Sequence, residues 1–293
     1  MLKLSIVILA FNSAKFIKPC LDSVFGQDNL SFEVILVDNG SEDDTLRLVK
    51  EGYPSVRLIK NKKNEGAAKA RNQGIEIASG EWILSLDCDV ILEKNFINKI
   101  TGFMKQSDAA TGMFQPKILK DDKKTIYSCG IRLSKFRKFY DIGKNRPDNG
   151  RFNKSGYVFG VCSAAAFYKR QMLEDVKEKT GYFDERFFFL VEDADLAWRA
   201  QKKGWKAGFC PEAVCYHTGN SSGSGGKIRQ YLCFRNRYFL ILKNDDINIL
   251  RGIVIALLYD LPRLGYLMLT NNYTRKALGE IKAFVMDKKG REK

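Results

Sequence analysis

The sequence predicts an α/β fold: a mostly parallel central sheet flanked by helices, with a mixed-sheet second half and a helical C-terminal tail. Three observations predict it. From Leu4 to Leu86 apolar runs alternate with helical patterns, the order expected of parallel strands joined by right-handed helical crossovers. Beyond Ala110 short apolar or alternating runs replace that rhythm, as in a mixed sheet. From Ile247 to Leu269 the chain is rich in Leu, Ile and Val, which predicts helix.

Taken in order, Leu4 to Phe11 reads as a buried first strand. It is not expected to be the apolar part of a signal peptide, because only Lys3 precedes it and polar Asn12-Ser13 follows where more apolar length is needed. Ala14 to Gln27 repeats apolar residues at three and four (Phe16, Ile17, Cys20, Leu21, Val24, Phe25), a helical period, with Ser13 as the expected N-cap. Phe32 to Val37 is a second strand ending at Asp38-Asn39-Gly40-Ser41, and Glu42, Asp43 and Asp44 are expected in the first turn of the next helix, where its dipole favours negative charge. A third strand (Val56 to Lys60), a third helix (Ala67 to Ala78) and a fourth strand (Glu81 to Leu86) complete the first half.

The fourth strand ends in Asp87-Cys88-Asp89. Side chains at i and i+2 of extended chain share a face, and open α/β sheets bind ligands at the carboxyl ends of their strands. Two carboxylates there suit Mg²⁺ or Mn²⁺, which take oxygen ligands from protein and phosphate; a solvated turn is the plainer account of the same three residues. Asp38 closes the neighbouring strand, and Arg71 lies in the helix between the two ends, after Asn64-Glu65-Gly66. The carboxylate can accept from a base or ribose and the guanidinium can pair with phosphate.

The 293 residues carry a formal charge of +15, from 49 Lys and Arg against 34 Asp and Glu. Such a balance suits nucleic acid, an anionic membrane or phosphorylated substrates. The candidate site residues are acidic and clustered, and no RNP, KH or helix-turn-helix signature is present, which argues against nucleic acid. Seven cysteines without a C-x-x-C pair point to reduced thiols in a cytosolic setting rather than a disulfide framework. Cys210, Cys215 and His217 lack a fourth zinc ligand in sequence.

The succession SIVILAFNS, EVILVDNGSEDDT, NEGAAKARNQGIEIASGEWILSLDCDV and GYFDERFFFLVEDADLAWRAQKKGW, followed by Pro211-Glu212-Ala213-Val214-Cys215-Tyr216-His217, resembles the family-2 glycosyltransferases of the GT-A, Rossmann-like fold, and among them the rhamnosyltransferase-like members of cell-surface polysaccharide assembly. The resemblance covers roughly Leu4 to Asn244. It implies a catalytic domain over 1–244, made of a nucleotide-binding half (1–109) and an acceptor half (110–244), with 245–293 as an amphipathic helical region. It implies that Ala10, Phe11 and Asp38 hold the nucleotide base, Arg71 lies near base and diphosphate, Asp87 meets ribose or metal-bound water, and Asp89 and His217, the only histidine, ligate the divalent ion with Asp87 beside them. An Asp of Glu192-Asp193-Ala194-Asp195 is implied as general base; Asp193 takes that role, Glu192 is second, and Asp195 is structural. Helix N-capping accounts for the same acidic run without any catalysis.

The implied reaction is an inverting, divalent-metal-dependent transfer from a nucleoside-diphosphate sugar to a glycan or polyprenyl-linked acceptor. The alternatives are a polyprenyl-phosphate sugar transferase and a non-catalytic nucleotide-sugar-binding protein. Arg132 to Arg151 is expected as a basic, aromatic loop that either covers acceptor or is solvated, and Asn220 to Gly226 as a hinge, lid or plain linker. In the tail, Arg251, Asp260, Pro262 and Arg263 interrupt the apolar stretch, so a spanning helix is not expected. Either amphipathic helices lie on an anionic bilayer, with Arg263, Arg275, Lys276, Lys282, Lys288 and Lys289 facing headgroups, or a helical hairpin packs on the domain or in a homodimer. The expected location is cytoplasmic, peripheral on the inner face of the cell membrane.

Overall fold

The computed structural model describes residues 3–28, 31–219, 225–245 and 249–291. The first half runs β1 (Leu4–Ala10), α1 (Ile17–Phe25), β2 (Phe32–Asp38), α2 (Thr45–Gly52), β3 (Arg57–Lys60), α3 (Ala67–Ile77), β4 (Trp82–Asp87), β5 (Val90–Leu92) and α4 (Phe96–Lys105). β1 pairs in parallel with both β2 and β4, and β3 adds in parallel to β2. The chain thus moves outward from β1 to β3 and returns to the other side of β1 for β4. That reversal opens a crevice at the carboxyl ends of β1 and β4, where α/β sheets take ligands.

β1 shows why the sheet is buried on both faces. Leu4, Ile6 and Ile8 enter a core cluster with Ile17, Leu21 and Val24 of α1 and Phe96 and Ile100 of α4. Val7 points the other way, into a cluster with Ala68 and Ile75 of α3. Alternate residues serve alternate layers, and both layers are apolar, so the strand reads as an unbroken apolar run.

Two helix starts differ from the sequence expectation. α1 begins at Ile17 rather than Ala14, and Ser13 does not cap it with its side chain: the hydroxyl accepts from the Phe11 amide (3.1 Å), while the Ser13 carbonyl receives the Phe16 and Ile17 amides. α2 begins at Thr45 with no acidic residue in its first turn. Asp43 instead accepts from the Thr45 and Ala14 amides (3.0 and 2.9 Å), tying the β1–α1 and β2–α2 connections together.

The second half contributes β6 (Thr111–Lys120), β7 (Ile126–Ser128), β8 (Ile131–Leu133), β9 (Phe139–Asp141), β10 (Gly156–Val158), β11 (Ala165–Lys169), α5 (Arg170–Val176), α6 (Glu192–Lys202) and β12 (Lys206–His217). One ten-stranded sheet runs β10-β12-β6-β11-β4-β1-β2-β3, with β5 added to β12 and β7 to β6. β11 is antiparallel to both β4 and β6, which makes the sheet mixed, as expected beyond Ala110. Within Arg132 to Arg151, expected as a loop, β9 pairs back onto β8 as a small separate sheet. Buried Lys117 of β6 bonds Asp148 (3.0 Å) and Asn153, so the segment is moored to the sheet.

The tail is helical: α7 (Gly226–Asn244), α8 (Ile249–Ile255), a π-helical turn (Ala256–Asp260), α9 (Leu261–Thr270) and α10 (Thr274–Arg291). It packs on the domain: Phe284 of α10 shares a buried cluster with Phe187, Ala194 and Trp198, and it stacks on Phe239 of α7 at 4.3 Å. Of the expected Asn220 to Gly226 hinge, residues 220–224 lie outside the described residues, as do the side chains of Arg251, Lys288 and Lys289; Gly226 opens α7.

Candidate active site

The carboxyl ends of β1, β2 and β4, the start of α6 and the first turns of α7 enclose a cleft of about 520 Å³. Phe11, Asn39, Gly66, Arg71, Asp87, Asp89, Glu192, Asp193 and His217 all line it. Residues from distant parts of the sequence therefore share one space.

Asp89 does not continue β4; it sits in the turn to β5. β5 lies antiparallel on β12 with Val90 opposite His217, and this register carries the imidazole to the acidic turn. His217 Nε2 lies 3.0 Å from Asp89 Oδ1, and the Gly219 amide donates to Asp89 Oδ2 at 3.0 Å. One ligand atom from each of Asp87, Asp89 and His217 lies within 4.8 Å of the others. Among the described residues, buried His217 Nδ1 has no hydrogen-bond partner, an orphaned polar atom that normally calls for one. Burial pulls the imidazole down, but its hydrogen bond to Asp89 and the charges of Asp89 and Asp87 outweigh it and leave His217 raised above its ordinary value. Two carboxylates and an imidazole with an unused nitrogen form a donor set that fits a divalent cation.

Arg71 projects from α3 across the cleft floor. Its guanidinium donates to Ser85 Oγ (3.1 Å), Asp87 Oδ1 (2.8 Å) and Glu192 Oε1 (2.7 Å). Placed this way it braces the two acidic segments; a contact with phosphate would require it to exchange one of those partners. Glu192 is buried, its second oxygen Oε2 has no partner among the described residues, and burial, outweighing the attraction of Arg71, raises its carboxyl above the usual range. Asp193 accepts from the Ser163 amide at 3.3 Å and from the Ala194 amide at 2.8 Å. Burial first, then the charges of Glu192 and Asp141, push Asp193 up to about 7. A carboxylate poised near neutrality suits a general base.

The other sequence-stated residues are placed differently. Ala10 and Asp38 are fully buried and do not line the cleft; Asp38 turns its carboxylate onto the Ser41 amide (3.3 Å). Their neighbours Phe11 and Asn39 reach the cleft instead, because adjacent residues at a strand end point to opposite sides. Asn39 bonds Asn61, Asn64 and the carbonyl of Gly66, fixing the loop that enters α3. Asp195 is fully buried and bonded to Arg199, Lys243 and Asn244.

The sequence reading missed how the acidic start of α6 is held. Phe188, Leu190 and Val191 all have positive φ (63°, 70° and 73°), a strained conformation for bulky or β-branched residues. Asn236 of α7, itself fully buried, donates to the carbonyls of Phe187, Phe189 and Leu190 (3.0, 2.9 and 2.6 Å). Arg235 adds a bond to the Phe187 carbonyl at 2.9 Å. α7 thereby holds the segment that delivers Glu192 and Asp193.

The profile of Glycosyl transferase family 2 matches residues 5–177. Glycosyltransferase GlyG of Streptococcus pneumoniae serotype 4 is 31% identical over 200 residues, covering 64% of this chain and 65% of that protein. The PGL/p-HBAD biosynthesis glycosyltransferase of Mycobacterium bovis BCG is 32% identical over 194 residues, covering 64% and 66%, and the uncharacterized glycosyltransferase YibD of Escherichia coli K12 is 37% identical over 90 residues, 30% of this chain and 26% of that one. The matched region thus spans less than two thirds of the length of these relatives. Among solved structures, S. aureus TarS 1-349 in complex with UDP superposes with a TM-score of 0.61 at 20% identity, covering 97% of this chain and 81% of that one. Mannosyltransferase PcManGT from Pyrobaculum calidifontis, in complex with GDP-Man and Mn2+, gives a TM-score of 0.59 at 16% identity, covering 97% and 80%. The fold is that of GT-A glycosyltransferases, and the chain belongs to glycosyl transferase family 2.

Proposed function

We propose that this chain is an inverting, divalent-metal-dependent glycosyltransferase that moves a sugar from a nucleoside-diphosphate donor to a hydroxyl of a glycan or polyprenyl-linked acceptor in cell-surface polysaccharide assembly, at the inner face of the membrane. The observation that carries the reading is a single cleft lined both by the Asp87, Asp89 and His217 cluster and by Asp193, a carboxylate raised to about 7. The donor complexes of TarS with UDP-GlcNAc and of PcManGT with GDP-Man and Mn2+ support a nucleotide-sugar ligand. Rhamnose, suggested by the sequence resemblance, is the first sugar to try.

Asp193 receives the proton of the acceptor hydroxyl. The freed oxygen forms a bond to the anomeric carbon as the bond from that carbon to the diphosphate oxygen breaks, so configuration inverts and no covalent enzyme intermediate forms. Asp87, Asp89 and His217 would hold Mg²⁺ or Mn²⁺, the imidazole favouring Mn²⁺, and the ion when bound neutralises charge on the leaving diphosphate. Arg71 keeps Asp87 and Glu192 at a fixed separation, and the apolar residues Phe188 to Val191 exclude water from the acceptor side.

The test is a panel of nucleotide sugars screened with Mn²⁺ for thermal stabilisation, since a ligand of the native state raises the unfolding midpoint by mass action. The donor that stabilises is then offered with acceptors, and the anomeric configuration of the product is read by NMR. Retention of configuration would overturn the reading. So would stabilisation by a donor that no acceptor ever discharges, which would favour a binding protein.

A further inference from the structure

Asp260 and Arg263, the described charges that interrupt the apolar tail in sequence, both turn inward in the structure. From Gly252 to Leu267, the shielded positions are Gly252, Ile255, Ala256, Tyr259, Asp260, Arg263, Leu264 and Leu267, a spacing of three and one that marks one face of a helix. That face holds the polar residues. Asp260 pairs with Arg237 of α7 at 3.1 Å, Arg237 also donates to the Phe136 carbonyl at 2.9 Å, Arg263 bonds the Tyr259 hydroxyl at 3.1 Å, and Tyr259 stacks on Phe136. The polarity is reversed from that of an ordinary surface helix.

The outward positions are apolar. Leu257, Leu258, Leu261 and Leu269 are 57%, 68%, 53% and 89% exposed, and no charged side chain lies among the described outward positions from Ile253 to Thr270. The stretch Gly252–Thr270 has a mean hydropathy of 1.5, with 11% of it buried. A contiguous apolar face of this length is not left to water without a partner.

We propose that this face beds in the plane of an anionic bilayer, with α8, the π-helical turn and α9 lying in the headgroup and acyl boundary. Charge chooses the occupant. α10 follows α9 directly and exposes Arg275, Lys276 and Lys282, and Tyr266 and Tyr273 (60% and 40% exposed) supply the amphipathic rings that settle at an interface. A second copy would set one chain of net charge +15 against another, whereas anionic headgroups complement it. Crossing the bilayer is disfavoured, because Asp260 sits near the middle of the stretch and would have to leave Arg237.

The in-plane arrangement also bears on the cleft. Leu264 and Leu267 pack in the same cluster as Phe189 and Leu190, two residues of the cleft wall. The bilayer-facing helix therefore lies directly behind the acceptor side of the cleft. The inference deepens the membrane placement proposed above, but its test needs no transfer reaction.

The full chain is floated with phosphatidylglycerol vesicles and with phosphatidylcholine vesicles, at low and high salt. Binding to phosphatidylglycerol that weakens with salt is expected. Leu257→Glu combined with Leu261→Glu should lower the bound fraction roughly tenfold or more while leaving the thermal midpoint and donor-induced stabilisation unchanged, since both side chains are exposed. Arg275→Glu with Lys276→Glu should remove the salt-sensitive part. Wild-type chain that stays out of the phosphatidylglycerol fraction overturns the proposal, as does a double Glu variant that floats like wild type. A dimer in light scattering that the double Glu substitution dissociates, without vesicle binding, would hand the face to a second copy instead. Loss of transfer with intact flotation would count against the enzymatic reading alone.

Discussion

Arg71 and Glu192, 121 positions apart in sequence, meet at 2.7 Å in the floor of the cleft, and both are buried. The pair joins the helix that follows β3 to the helix that carries the candidate base. Because Arg71 also holds Asp87 at 2.8 Å, removing the guanidinium leaves two carboxylates without their counter-charge. Arg71→Met should therefore destabilise the fold by about 3–5 kcal/mol, read from urea unfolding. Glu192→Gln, which keeps an oxygen for Arg71 and leaves the Asp87 bond untouched, should cost much less. Equal losses would show that Arg71 is not the shared support.

Asp193 is raised to about 7 by burial and by the charges of Glu192 and Asp141. As the proposed base it acts in its carboxylate form, so transfer should be low in acid and climb as pH passes through about 7. Asp193→Asn should lower kcat by ~10²–10⁴ and abolish that limb of the profile, while the Kd for the donor, measured by calorimetry, stays near wild type. A variant that keeps the acid limb would place the titrating group elsewhere.

His217 offers the cluster its only nitrogen. His217→Ala should weaken Mn²⁺ binding by roughly 10–100-fold or more, at least the loss seen when a supporting residue of a metal site is removed. Electron paramagnetic resonance of free Mn²⁺ during titration measures this without any turnover. Unchanged Mn²⁺ affinity would remove the imidazole from the ligand set.

Asn236 bonds three carbonyls of the left-handed segment before α6. Asn236→Ala should lower the unfolding midpoint by leaving the Phe189 and Leu190 carbonyls bare, at about 1–3 kcal/mol for each one that finds no water, while Arg235 still serves the Phe187 carbonyl. If the clamp also aims Asp193, kcat should fall more than KM rises. Loss of stability with kinetic constants intact would limit Asn236 to a structural role.

Much of the fold was legible because it rests on period. Val7 packs on one layer and Ile6 and Ile8 on the other, and such two-sided burial leaves an apolar run that any reading of strands finds. Helix starts were less legible. Ser13 has the chemistry of a cap, but the Phe11 amide competes for its hydroxyl, and Asp43 serves the loop ahead of α2 rather than its first turn. These outcomes depend on neighbours brought in by the fold.

The site divides in the same way. Asp87, Asp89, His217, Arg71, Glu192 and Asp193 were named from sequence through a family resemblance, and all line one cleft. Their meeting depends on β5, whose three residues (Val90–Leu92) are too few to announce a strand. Asp38 was named where Asn39 reaches the cleft, because the side a terminal strand residue faces was not fixed by pattern alone. Phe188 to Val191 reads as strand-forming sequence, and only the distant Asn236 reveals why it bends left-handed.

The placement of β11 carries a consequence for how the chain can be divided. Residues 165–169 lie between β4 of the first half and β6 of the second, bonded to both. A segment ending near residue 109 would leave the rim of β4 unpaired and open to adventitious strand addition. Recombining the two halves from different relatives thus demands that both breakpoints respect this wedge, and a graft that omits it would yield two sticky fragments rather than one folded hybrid.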